Sequence, residues 1–228
     1  HVPARYEGLG LAPDAAISHA AWDPGAEDLA IELSKTLDAP LVAGLVSRLV
    51  YDCNRPPEAP DAMPERSELF EIPGNRNLTA MQKNNRIETV YHPFHAAVSG
   101  VLAQRKARGD LTVLVTIHSF TPVYFGKPRK VEIGILHDSD GRMADAMMRE
   151  AARLPHRAIA RNDPYGAKDG VTHTLKLHGV KNRLPNVMIE VRNDLLTTPR
   201  GVSGMRDELL KLIVPALPAL KGVRAAHD

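Results

Sequence analysis

The sequence predicts a three-layer α/β sandwich around a mostly parallel, mixed sheet. Apolar strand-like runs at residues 41–46, 111–117, 131–136 and 186–191 alternate with amphipathic helical stretches at 26–37, 79–108, 141–154 and 202–220. Strands alternating with helices argue for this architecture. The length, 228 residues, suits one sizeable domain, so a single domain over 1–228 is the simplest reading.

Each element has its own signal. Residues 1–24 are loop-rich. Leu29, Ala30, Leu33 and Leu37 recur at helical spacing. The run at 41–46 reads as the first strand, ended by Pro56-Pro57 after a polar stretch. Residues 55–78 hold five prolines and are too long for an ordinary connection, which predicts a functional loop or lid. Thr79 suits the cap of a long helix reaching about Arg108, with Pro93 kinking it. The run at 111–117 is continuous enough for a central parallel strand. Residues 158–160 suit a short strand and 171–178 a short helix, and the last helix is interrupted near Pro215 and Pro218.

Composition excludes several classes. Hydrophobic residues make up 43% and charged residues 25%, the balance of a globular chain able to bury a core. A net charge of +2 gives no case for a nucleic-acid partner. No apolar run is long enough to span a membrane, and no signal peptide is visible. The single cysteine, Cys53, rules out an internal disulfide framework and fits a reducing, cytoplasmic setting. Oligomeric state is not legible.

The densest chemical signal is Ser47-Arg48-Leu49-Val50-Tyr51-Asp52-Cys53-Asn54-Arg55. Two arginines beside an aspartate and an asparagine suit capture of a small carboxylate, because a guanidinium meets carboxylate oxygens in pairs. The plainer reading is a structural ion-pair network. His118 follows the most apolar strand, where sites form in open α/β sheets, and suits a metal ligand or an acid–base group. It would otherwise simply bond a loop. Glu190 lies within the apolar run Val187-Met188-Ile189-Glu190-Val191, where a carboxylate is costly unless paired or used. Burial would raise its pKa toward the range of a general base. Pairing with Arg192, two residues on, is the plainer alternative.

Arg48, Asn54, Arg55, Arg129 and Arg192 stand at strand ends or loops and would suit an anionic substrate, although each alone reads as an ordinary arginine. His92 and His95 in Tyr91-His92-Pro93-Phe94-His95 share a helix face and could bind metal or substrate. Thr172, His173, Thr174 and His178 suggest a further rim or, more plainly, a capped helix start. Asp23 before Pro24 reads as a ligand or a helix cap. Cys53 has no histidine base beside it, which disfavours a thiol nucleophile. His137-Asp138-Ser139-Asp140 reads as a cation site or equally as a turn. No glycine-rich phosphate loop occurs.

Together, residues 47–57, Ile72-Pro73-Gly74-Asn75, Tyr91-His92-Pro93-Phe94-His95, residues 117–122, Asn162-Asp163-Pro164-Tyr165 and Glu190-Val191-Arg192 resemble the N-formylglutamate amidohydrolase family, in an order that spans nearly the whole chain. That family looks related to the zinc carboxypeptidases and aspartoacylase-like deacylases. The resemblance implies a phosphorylase/hydrolase-like, zinc carboxypeptidase-like fold and a bound zinc. It implies that His118 is the later zinc histidine, Asn54 and Arg55 the carboxylate-binding pair, Glu190 the base and Arg48 a further substrate arginine. Asp23 is the candidate carboxylate ligand. The first zinc histidine of the family precedes a segment like His1-Val2-Pro3, so it is expected upstream of residue 1.

The expected activity is metal-dependent hydrolysis of the linear amide of an N-acylated acidic amino acid, with N-formyl-L-glutamate, giving formate and L-glutamate, as first candidate. Glu190 is the expected catalytic base. Arg48, Asn54, Arg55, His95, Arg129 and Arg192 are the expected substrate-binding residues, and His118 and Asp23 the metal ligands. The partner is a small-molecule carboxylate. The alternative is a small-anion-binding homologue without catalysis that has lost its metal site.

Overall fold

The structure, a computed structural model, describes residues 1–220. The last eight residues of the single domain expected over 1–228 lie outside that range. In chain order the helices and strands are α1 (Pro13–Ile17), α2 (Ala26–Leu37), β1 (Arg66–Ser67), β2 (Phe70–Glu71), α3 (Ala80–Arg86), α4 (His92–Ala107), β3 (Leu114–Phe120), β4 (Val123–Tyr124), β5 (Lys127–Pro128), β6 (Ile133–Leu136), α5 (Arg142–Arg149), β7 (Ile159–Arg161), β8 (Asn186–Arg192) and α6 (Pro199–Ala216). The chain groups into two compact units.

One unit comprises Pro24–Leu41, Thr112–Pro122 and the described residues from Pro128 to 220. Among its described residues, four strands form one sheet in the order β3-β8-β6-β7. β3 runs parallel to β8 and β6 parallel to β7, while β6 and β8 are antiparallel. The sheet is therefore α/β and mixed, as expected, but less parallel than the strand–helix alternation suggested. The connections explain why. A parallel neighbour needs a long crossover, and α5 supplies one between β6 and β7. Between β3 and β6 the chain makes only the two-stranded β4–β5 sheet and no helix, so β6 returns in the opposite direction.

The two faces of this sheet differ. Ile133, Ile135, Val187, Ile189 and Val191 share one core with Leu29 and Leu33 of α2, Met143 and Met147 of α5, and Val202, Met205, Leu209 and Leu212 of α6. The helical spacing of those residues puts one stripe of each helix on the sheet. Burying each such side chain is worth roughly 1.5–3 kcal/mol. The alternating positions Leu136 and Met188 belong to a smaller cluster with Leu175, flanked by Leu114, Tyr165 and Val171. β8 is buried on both faces, which is why it reads as an unbroken apolar run.

The other unit comprises His1–Asp23, Val42–Leu111 and Val123–Lys127. Its core joins Leu9, Leu49, Val50, Tyr51, Ala62, Ile72, Val90 and Tyr91. Thr79 caps α3 through a capping box with Gln82, as the sequence indicates. A π-helical turn, Ile87–Tyr91, carries the rod into α4, and Pro93 falls in the first turn of α4, where its missing N–H costs nothing. Arg86, 4% exposed, donates to the carbonyls of Val50 and Gly74, both at 3.0 Å, and to Asn75 Oδ1 at 2.6 Å. Asn75 Nδ2 in turn donates to the Leu49 and Pro64 carbonyls. With Ala62 and Ile72 fully buried, this network makes residues 55–78 a packed loop rather than an open lid.

Two local expectations fail. Residues 41–46 form no strand; their backbone is irregular, and Leu41 and Leu45 are exposed. Within this stretch the Leu45 carbonyl accepts a bond from the His1 amino group. Asp23 does not cap α2. Gly25 is the N-cap at φ 78°, a conformation that favours glycine, and a Cβ there would stand 2.4 Å from the Leu196 Cβ.

Ile135 is fully buried at the centre of the larger core. Ile135→Ala is expected to cost about 2–5 kcal/mol, read as a lower urea midpoint at unchanged slope. A loss below about 1 kcal/mol would contradict this packing.

Candidate active site

The residues expected to carry chemistry fall in both units. In the sheet unit, His118 of β3 and Glu190 of β8 are direct partners across the parallel pair. In-register residues on neighbouring strands present side chains to the same face, so the imidazole and carboxylate are side by side. Glu190 is only 4% exposed, and His118 is half-buried. This is the face opposite the large helical core, because Ile189 and Val191 on either side of Glu190 belong to that core.

The other neighbour of Glu190 is Gly134 of β6. A Cβ at residue 134 would stand 2.4 Å from the Asp163 carbonyl oxygen and 3.3 Å from the Glu190 Cβ. Glycine here lets the segment after β7 cross the sheet beside the carboxylate. That segment, with a cis Asp163–Pro164 peptide, ends on Tyr165, which packs against the cluster of Leu136, Leu175 and Met188.

Arg129 is a predicted arginine that comes to this face. Its guanidinium carbon lies 4.7 Å from the Tyr165 ring centre and 5.5 Å from that of Phe120. Phe120 is two residues beyond His118 on β3 and therefore on the same face. Arg192, in register with Phe120 at the end of β8, is held by different contacts. Its Nε donates to Asp194 at 2.8 Å, Nη1 to the Arg129 carbonyl at 3.2 Å, and Nη2 lies 3.5 Å from Glu132. Through those contacts Arg192 braces the Arg129 backbone. Ser119 donates to the Pro24 carbonyl at 2.8 Å, tying β3 to the approach of α2.

Next to this face, His178 is buried on a π-helical turn, Leu175–Gly179; burial, with His173 and Lys181 nearby, holds its pKa below the ordinary value. Thr172 donates to Asp138 at 2.6 Å. His137 sits against Arg161 Nε at 2.8 Å, and Asp140 is bidentate with Arg142, so this stretch is a bonded turn.

In the other unit, Asp23 and Arg48 form an ion pair. Arg55 pairs with Asp61 at 2.6 Å and donates to the Asn54 carbonyl at 3.1 Å. The Asn54 amide donates to Asp52, an Asx turn. His95 is buried with Nε2 2.9 Å from the Cys53 carbonyl, so Nε2 carries the proton, and its ring centre lies 4.2 Å from that of Tyr91 with the two rings tilted by 58°. Much of the Arg48–Arg55 stretch is thus held by the structural network that was its plainer reading. Burial, followed by the Asp52 charge, pushes the Cys53 thiol up to about 12. A thiol so protonated at neutral pH is a poor nucleophile. Among the described residues, no group of three or more His, Cys, Asp or Glu side chains is placed to hold a metal ion. The described donors therefore do not make up a zinc site by themselves.

Residues 1–197 match the family model of N-formylglutamate amidohydrolase. The chain belongs to the N-formylglutamate amidohydrolase family. It is also similar to the crystal structure of gene product Atu2144 from Agrobacterium tumefaciens, at 51% identity and a TM-score of 0.94, covering 97% of this chain and 87% of that one. A crystal structure of N-formylglutamate amidohydrolase from Ralstonia eutropha JMP134 matches at 23% identity and a TM-score of 0.47, covering 65% of this chain and 59% of that one. A search of the curated proteins found no match. As a family member the chain is an amidohydrolase, and no helix among its described residues is long and apolar enough to cross a membrane.

Sequence reasoning did not single out Gly134, Phe120, Tyr165 or the hub residue Arg86 as individuals. Tyr165 and Phe120 lay inside motifs that carried the resemblance, but their contact with Arg129 is long-range and leaves no local spacing signal. Gly134→Ala is expected to lower stability by about 1–3 kcal/mol, because the added methyl meets a backbone oxygen that cannot rotate away. Thermal unfolding checks this. An unchanged midpoint would show that the 163–165 segment does not cross at Gly134.

Proposed function

We propose that this amidohydrolase cleaves N-formyl-L-glutamate to formate and L-glutamate, with Glu190 as the proton carrier. The observation that supports the reading is a carboxylate 4% exposed in the central strand, in register with His118. A buried carboxylate costs stability and is kept where it is paired or used.

In this reaction the Glu190 carboxylate takes a proton from water as the water oxygen attacks the formyl carbon. The tetrahedral adduct then collapses. Glu190 returns the proton to the departing nitrogen, the C–N bond breaks, and formate and the free amine of glutamate leave. His118 beside it donates to, or orients, the attacking or developing oxygen. Arg129 engages a substrate carboxylate through its planar fork. Asn54, Arg55 and Arg48 keep the substrate role that the resemblance implies, as part of the same proposal, although Arg55 and Arg48 must be shared with Asp61 and Asp23.

Zinc is the metal that the resemblance implies, and His118 and Asp23 are the donors this chain would offer it. Because the described donors do not complete a site, no step is assigned to the metal. Kinship with the zinc carboxypeptidases is likewise a proposal, supported by a mixed sheet with a histidine and a glutamate on adjacent strands.

Formate release from N-formyl-L-glutamate tests this reading, measured with added zinc and after chelation. Glu190→Gln is expected to fold normally and lose roughly 10²–10⁴-fold in kcat. Near-normal turnover by that variant would remove Glu190 from the reaction. No release by the folded wild type that still binds glutarate would establish the non-catalytic anion binder instead.

A further inference from the structure

We propose that Phe120 and Tyr165 clamp the Arg129 guanidinium and so act as positioning residues for carboxylate recognition; this rests on the functional reading above. Phe120 is 3% exposed at the end of β3, so its ring is a fixed wall. Tyr165 comes from the opposite direction in sequence, carried across Gly134 and packed on Leu136 and Met188. The guanidinium carbon lies 5.5 Å from one ring centre and 4.7 Å from the other, both inside the range of cation–π attraction.

The backbone of Arg129 is fixed as well. Its amide donates to the Pro122 carbonyl at 2.8 Å, and its carbonyl accepts from Arg192 Nη1 at 3.2 Å. Stacking uses the faces of a guanidinium, whereas carboxylate binding uses N–H groups at its edge. Aromatic contacts of this kind restrict the side chain through its faces rather than its edge. An arginine held in this way has lost its rotamer freedom before substrate arrives, which favours binding. Phe120 lies two residues beyond His118, about 6–7 Å along the strand. That separates the clamp from the His118–Glu190 pair by a span that an N-acylated dicarboxylic amino acid can bridge. The ligand class follows: a small dicarboxylate, one carboxylate of which reaches Arg129.

The test is calorimetric binding of glutarate, a dicarboxylate with no scissile amide, to wild type, Tyr165→Leu, Arg129→Lys and the double variant. KM and kcat for N-formyl-L-glutamate are measured in parallel. Tyr165→Leu is expected to weaken glutarate and raise KM by about five- to tenfold, the scale of a partly desolvated cation–π contact, with kcat changed less than about twofold. Tyr165→Phe, which keeps the ring, is expected to rescue binding. The double variant should bind no worse than Arg129→Lys, because Tyr165 acts through the guanidinium. Additive losses, or a fall in kcat with glutarate affinity unchanged, would overturn the clamp. Glutarate binding does not need turnover. A wild type that binds glutarate through the clamp but releases no formate would overturn the functional reading alone, and one that binds no glutarate would overturn both.

Discussion

The burial of the Glu190 carboxylate in β8 is the constraint around which the sheet unit is organised. The strand cannot shift by one residue, since a slip of one would turn Glu190 into the helical core and Ile189 and Val191 out of it. The parallel partner then has to be β3 in a register that sets His118 beside the carboxylate, and the antiparallel partner β6 has to offer Gly134. Alternation along β8 thus divides the strand: one face packs on α2, α5 and α6, and the other carries Glu190 beside His118. A rigid apolar backing is a good foundation for a site whose groups must hold position to fractions of an ångström.

The polar network around the C-terminal ends of β3 and β8 extends this logic. Arg192 is held by Glu132 and Asp194 and braces the Arg129 backbone, and Arg129 in turn lies between two rings. Of two arginines that look alike in sequence, one supports the backbone of the other, and the other is held between aromatic rings and is the one proposed to meet a substrate. The same contrast occurs in the other unit. Arg86, which no motif marks, is the buried hub joining residues 49–50, 64 and 74–75, whereas Arg48 and Arg55, which the densest motif contains, carry ion pairs with acidic neighbours.

Periodicity made the helices and the central strand legible. The predicted 26–37 helix is α2 in its entirety, Thr79 caps α3, and the run from Asn186 is β8. Those signals are local, and local spacing is what they depend on. The run at 41–46 misled because apolar composition does not supply a hydrogen-bonding neighbour. The direction of β6 is set by the short connection from β3, not by the residues of the strand. His118 and Glu190 were found as residue types in apolar strands, but their adjacency is a matter of register between segments about seventy residues apart in sequence, and register is written in the packing of both strands. The partners of Asp23 and Arg55 were open for the same reason: a charged side chain in sequence does not say whether it meets a substrate or a neighbour.

The most direct measurement is a crystal structure of the Glu190→Gln variant with N-formyl-L-glutamate bound. The formyl carbon should lie over the face of β3 and β8, within reach of residue 190 and His118, with a substrate carboxylate on Arg129. A substrate bound with its amide away from that face would contradict the assignment of the His118–Glu190 pair as the reaction centre.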